Sequence, residues 1–102
     1  MIQFDKNDLA RFLEEKESGF FYFYTPLCGS CGLAGQMIEL AEKSAGIETY
    51  ALDLNLSKEY APCFEIEAVP VLVRIERGEF VDKTYTLHSV VPVFNFLESF
   101  PE

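Results

Sequence analysis

The sequence predicts an α/β fold: a central mixed β-sheet with helices on both faces. Three observations carry that expectation. Five aromatic residues run unbroken from Phe20 to Tyr24, and a strand without polar alternation is one buried on both faces, as in a helix-covered parallel sheet. Segments with helical spacing alternate with short apolar runs along the chain. Near the C-terminus, "VPVLVRIERGEFVDKTYTL" reads as two strands joined by a tight turn at Arg77-Gly78-Glu79, an antiparallel hairpin in which Gly supplies positive φ. Together these give β-α-β-α-β-α-β-β-α, a pattern that closes into one mixed sheet with helical layers.

Each element has its own warrant. Ile2 to Phe4 is a short edge strand. Asn7 or Asp8 is placed to cap a helix whose apolar positions are Leu9, Phe12 and Leu13, with the charges of Glu14 to Glu17 outward and Ser18-Gly19 ending it. After Thr25-Pro26 a second helix is expected near Cys28. Ala34, Met37, Ile38 and Ala41 form its inner face, Leu33 and Leu40 widen that face, and Gly46 ends the helix. Thr49 to Asn55 is a strand, and Ser57 to Phe64 a short helical piece interrupted by Pro62. Ser89 caps a last helix with Val90, Val93, Phe94, Leu97 and Phe100 on one face. Pro92 falls in its first turn, where a missing N–H costs little.

Totals bound the function. A chain of 102 residues with 49% hydrophobic content fits a single domain spanning residues 1–102, able to bury a core without disulfide staples. A net charge of −9 and the absence of a Lys/Arg run argue against nucleic-acid binding. No apolar run approaches the roughly 20 residues that span a bilayer, so no membrane partner is expected. The first residues, "MIQFDKNDLARF", lack a basic region followed by an apolar block, so a cytoplasmic location is expected. There, a close cysteine pair points to catalysis or metal binding rather than to a structural staple.

That pair is Cys28 and Cys31, at the seam between the aromatic strand and the second helix, separated by the small turn residues Gly29 and Ser30. A helix start presents N–H groups without intrahelical partners and a partial positive charge, which stabilises a thiolate. Cys28 is therefore the candidate nucleophile toward a substrate disulfide. Cys31, one helical turn on, is the candidate resolving thiol. Cys28, Cys31, Cys63 and His88 add up to a Cys₃His set, but a structural zinc site usually brings a second close pair; neither metal nor cofactor is expected. Cys63 reads as structural or incidental, with a regulatory thiol or an intermolecular disulfide as its functional alternative, and His88 as a surface or helix-entry residue rather than a catalytic base. Glu65 and Glu67 read as solvated charge, with a negative rim on a substrate groove as their functional alternative.

At these residues the chain resembles the thioredoxin family over nearly its whole length. An aromatic strand enters "CGSC", where the family most often has Trp-Cys-Gly-Pro-Cys; "EIEAVPVLV" is similar to the family's loop ending in a cis proline, here Pro70; and "ERGEFV" is similar to its hairpin turn. The resemblance implies the thioredoxin fold and a thiol–disulfide oxidoreductase. In it, Cys28 attacks, Cys31 resolves, Pro70 faces the pair, and the backbone of Val69 pairs with an extended substrate. It implies as partners a disulfide-containing protein or low-molecular-weight thiol substrate and a reductase or thiol electron donor. A binding module of the same fold, with the pair not turned over, is the alternative. Departures are local. Leu27 stands where the family has Trp, Ser30 where it has Pro, Gly32 where it has Lys and Gln36 where it has a helix-kinking Pro. Tyr22 and Ala51 replace a buried carboxylate and its Lys partner.

Overall fold

The computed structural model describes residues 1–99. Its elements are β1 (Ile2–Gln3), α1 (Lys6–Glu14), β2 (Gly19–Tyr24), α2 (Cys31–Ala45), β3 (Tyr50–Asp53), a 3₁₀ turn (Leu54–Leu56), α3 (Tyr60–Cys63), β4 (Val71–Glu76), β5 (Glu79–Thr84) and α4 (Val90–Glu98). The five strands form one sheet in the order β1-β3-β2-β4-β5. β1, β3 and β2 run parallel, whereas β4 and β5 are antiparallel to their neighbours. The mixed sheet and the expected element order are both present.

β2 lies at the centre because its side chains are apolar on both faces. Phe20 and Tyr22 pack with Ile38, Ala41, Val93 and Leu97 on the side of α2 and α4. Phe21 and Phe23 pack with Leu9, Phe12, Phe64 and Val73 on the side of α1 and α3. Gly19 starts the strand where a side chain would crowd. A Cβ there would lie 3.1 Å from the Phe12 ring and 3.2 Å from the Tyr50 ring.

Several boundaries differ from the sequence reading. The cap of α1 is Asp5, not Asn7 or Asp8: Asp5 Oδ1 accepts from Asp8 N at 2.8 Å while Asp8 Oδ2 accepts from Asp5 N at 2.9 Å. This reciprocal box satisfies two end groups at once. The helix stops at Glu14, four residues before Ser18, because Lys16 turns left-handed at φ 56° and sends its N–H back to the Leu13 carbonyl. Leu33 and Leu40 do not widen the inner face of α2; they are about half exposed, whereas Ala34, Ile38 and Ala41 are buried. β3 begins at Tyr50 rather than Thr49, whose N–H and hydroxyl both donate to Glu42 Oε2 at 2.6 Å. The Ser57–Phe64 piece reduces to the single turn of α3. Ser89 occupies the N-cap of α4 without a side-chain capping bond, and Pro92 sits in the first turn as expected. Phe100 lies outside the described residues.

The hairpin turn is tighter than the sequence reading required. Both residues of the two-residue loop have positive φ, Arg77 at 50° and Gly78 at 78°, which matches the twist of the flanking strands. A Cβ on Gly78 would stand 2.5 Å from the Leu13 carbonyl oxygen. The turn is docked on the end of α1 by Gly78 N to the Glu17 carbonyl (2.9 Å) and Arg77 N to Ser18 Oγ (2.8 Å).

Candidate active site

β2 ends at Tyr24, and the chain turns through Thr25-Pro26 with Cys28 N donating to the Thr25 carbonyl at 3.2 Å. Cys28 and Cys31 are joined by a disulfide, their Cα atoms 5.4 Å apart. The helix starts at Cys31, with Ser30 as its N-cap, so Cys28 lies in the turn ahead of α2 rather than on its first turn. The Thr25–Cys28 turn and the Gly29-Ser30 turn take up the residues before the helical register begins. Cys28 is half-buried and Cys31 is 6% exposed. One sulfur therefore meets solvent, and the other sits beneath it among Ala34, Ile38 and Leu72. The Ser30 side chain makes no capping bond; its hydroxyl lies 3.8 Å from Cys28 Sγ. In the disulfide that sulfur carries no proton, so the hydroxyl is the donor.

The Val69–Pro70 peptide bond is cis. Val71 follows as the first residue of β4 and pairs with Phe23, so Val69 and Pro70 enter the sheet beside the end of β2 from which the cysteine turn departs. Val69 and Cys28 pack against the same core cluster. Leu27, next to Cys28, is 97% exposed.

Other sequence candidates stay apart from the pair. Cys63 is an exposed free thiol whose Sγ donates to the Glu59 carbonyl at 3.3 Å. His88 is exposed. Among the described residues no three His, Cys, Asp or Glu side chains gather as a metal-ligating group. Glu65 and Glu67 are exposed; Glu65 pairs with Lys83 of β5 at 3.8 Å, and Glu67 N donates to the hydroxyl of Tyr85, just past β5, at 3.0 Å.

Tyr22 has a role that residue identity alone did not disclose. Its hydroxyl donates to the Cys31 carbonyl. Burial, reinforced by Tyr24, pushes its pKa up to about 12, so near neutral pH it is a donor and not a base. The one sequence signal was its place on the strand, six residues before Cys28. A concavity of about 470 Å³ opens on this flank, reaching both cysteines past Met1, Gln3, Tyr22, Tyr24 and Ala51; among the described residues no side chain lining it is a carboxylate, an amine or an imidazole, and the Met1 ammonium is paired with Glu42. A larger one, about 700 Å³, lies over the start of α1 and shares Gln3 and Tyr24 with it. The smaller is the one that touches the chemistry.

The thioredoxin family model matches residues 1–97, and the chain belongs to the thioredoxin family. Among curated proteins it is 31% identical over 85 residues to a thioredoxin-like protein, YusE, of Bacillus subtilis, covering 82% of this chain and 80% of that one. Among solved structures, a mutant thioredoxin from Halobacterium salinarum superposes with a TM-score of 0.81 at 20% identity, covering 99% of this chain and 90% of the other. Fasciola hepatica thioredoxin superposes at 0.77 and 20% identity, covering 99% and 100%. The fold is therefore the thioredoxin fold. Among the described residues no helix is long and apolar enough to cross a membrane.

Proposed function

We propose that the protein is a thiol–disulfide oxidoreductase that reduces protein disulfides, or mixed disulfides with a low-molecular-weight thiol, in the cytoplasm. The Cys28 thiolate attacks one sulfur of the substrate disulfide, forming a mixed disulfide and expelling the other sulfur as a thiolate. The Cys31 thiolate then attacks Cys28 Sγ, which closes the Cys28–Cys31 disulfide and releases the second substrate thiolate. Two electrons pass to the substrate, and a reductase or thiol donor restores the dithiol. Val69 and Pro70 are the proposed substrate-facing backbone, and Gly29 and Ser30 the loop that lets the pair open and close.

The observation that carries this reading is the disulfide itself, with Cys28 toward solvent and Cys31 buried at the start of α2. That asymmetry is what attack from outside followed by resolution from inside requires. The observation that favours the binding-module alternative is the Tyr22 phenol, a donor rather than a base, beside Cys31: among the described residues lining this flank no carboxylate side chain stands ready for the proton that Cys31 must lose in resolution. Single-turnover reduction of a disulfide peptide by the reduced protein separates the two. Stoichiometric release of peptide thiol supports the oxidoreductase, and no release favours the module.

A further inference from the structure

Resting on the oxidoreductase reading, we propose that Tyr22 is a positioning residue whose hydroxyl, by holding the Cys31 carbonyl, pre-orders the first turn of α2 and so favours the closed disulfide over the open dithiol. Tyr22 lies on the central strand between Ala51 of β3 and Leu72 of β4, and its ring stacks on Tyr24 at 5.7 Å. On the helix side Gly35 faces that ring, where a Cβ would stand in ordinary van der Waals contact with it at 3.7 Å. The phenol is thus fixed from the strand side and capped from the helix side, with its hydroxyl on the Cys31 carbonyl. A buried phenol without a partner would be costly, so this contact is strongly specified. Cys31 is the first residue of α2, and its carbonyl accepts from the N–H four residues on through one lone pair; the phenol uses the other.

The consequence follows from chain entropy. In the disulfide form the cross-link already orders residues 28–31. In the dithiol form nothing covalent does, and the Tyr22 hydroxyl holds one end of the segment in the geometry that closure needs. Ordering supplied in advance raises the effective concentration of one thiol toward the other. Removing the hydroxyl therefore loosens the dithiol more than the disulfide. A merely structural hydrogen bond would stabilise both forms equally and leave the equilibrium between them unmoved.

The test is redox titration of the full chain against a dithiol/disulfide buffer for wild type, Tyr22→Phe and Tyr50→Phe, with resolution of the mixed disulfide followed separately. Tyr22→Phe is expected to shift the equilibrium toward the dithiol by roughly threefold to tenfold, where tenfold corresponds to about 30 mV for this two-electron couple. It should slow resolution by a similar factor. Tyr50→Phe removes a phenol hydroxyl on the opposite face of the sheet and should leave both unmoved. If Tyr22→Phe does not fold, a ring-fluorinated tyrosine at position 22, a stronger donor, should shift the equilibrium toward the disulfide instead. A wild-type pair that titrates alongside an identical Tyr22→Phe pair overturns the inference alone, as does a fluorinated variant that moves nothing. A wild-type pair that does not titrate overturns the oxidoreductase reading and this inference with it.

Discussion

The two faces of the sheet are built differently. On the α1/α3 side Phe4, Phe12, Phe21 and Tyr50 form a ring lattice with centroids between 4.4 and 6.2 Å, and Phe64 bridges Phe23 and Phe80 at 6.0 Å to each. On the α2/α4 side the core is mostly aliphatic, with Phe20, Ile38, Leu72, Val93 and Leu97, and next to the cysteine pair it narrows to Ala34, Gly35 and Ala51 around the Tyr22 phenol. Large rings supply transfer free energy and dense packing. Small residues bring a helix start close to the strand beneath it, and a polar group there can steer the reacting cysteine. Both faces bury a core, but one is knit by aromatic rings and the other carries the reacting pair.

Breaking the aromatic face should have the largest effect. Phe21→Ala removes a fully buried ring that contacts Phe4, Phe12 and Tyr50. Its expected cost is about 3–5 kcal/mol, a large share of the ~5–15 kcal/mol that holds a small domain. Denaturant unfolding checks it; a loss below about 1 kcal/mol would mean the lattice collapses around the gap. Next comes the turn docked on the same face. In Gly78→Ala the new methyl meets the Leu13 carbonyl at 2.5 Å and the backbone is held at φ 78°, for an expected loss of roughly 2 kcal/mol or more in the same assay.

On the α2/α4 face the Tyr22 phenol adds a response to pH. Burial raises the Tyr22 pKa above its ordinary value, to about 12. The group contributes its full stability below about pH 10, where the unfolded phenol is also neutral. That contribution is lost as pH rises through the folded value, because the unfolded chain releases the proton first. Thermal unfolding between pH 9 and 11, a window chosen around the ordinary tyrosine value of about 10, should show wild type losing more stability than Tyr22→Phe, on the order of 1 kcal/mol. Parallel losses would show that Tyr22 does not titrate as a buried group. Cys63→Ser should do least: the thiol is exposed and donates to the Glu59 carbonyl, a bond that a serine hydroxyl can keep, so a change within about 0.5 kcal/mol is expected, with no change in pair reactivity.

The sequence made the aromatic face legible because its signal is repeated: an unbroken apolar strand, spaced apolar helix positions and a hairpin with Gly at its turn each point the same way. Helix ends were harder to read. Asp5, Asn7 and Asp8 are all competent caps, and only the reciprocal Asp5–Asp8 bonds select among them. Apolar spacing alone starts α2 near Cys28, because it does not register the extra turn that delays the helix to Cys31. At the site, spacing exposed the pair, whereas the cis bond at Pro70 was expected only through the family resemblance. The resemblance marks position 22 as the place of a replaced carboxylate, but the Tyr22 bond to the Cys31 carbonyl is a contact between β2 and α2 that no local pattern encodes.

The asymmetry of the two cysteines is what the proposed chemistry depends on, and trapping tests it most directly. Cys31→Ser and Cys28→Ser proteins, each reduced and then exposed to the same disulfide peptide, are separated without reductant, and the mixed disulfide is quantified by intact mass. Cys31→Ser is expected to accumulate the mixed disulfide at Cys28, since attack proceeds and resolution is removed. Cys28→Ser is expected to accumulate almost none because Cys31 is buried. Equal trapping by the two variants, or trapping by neither, would contradict that asymmetry.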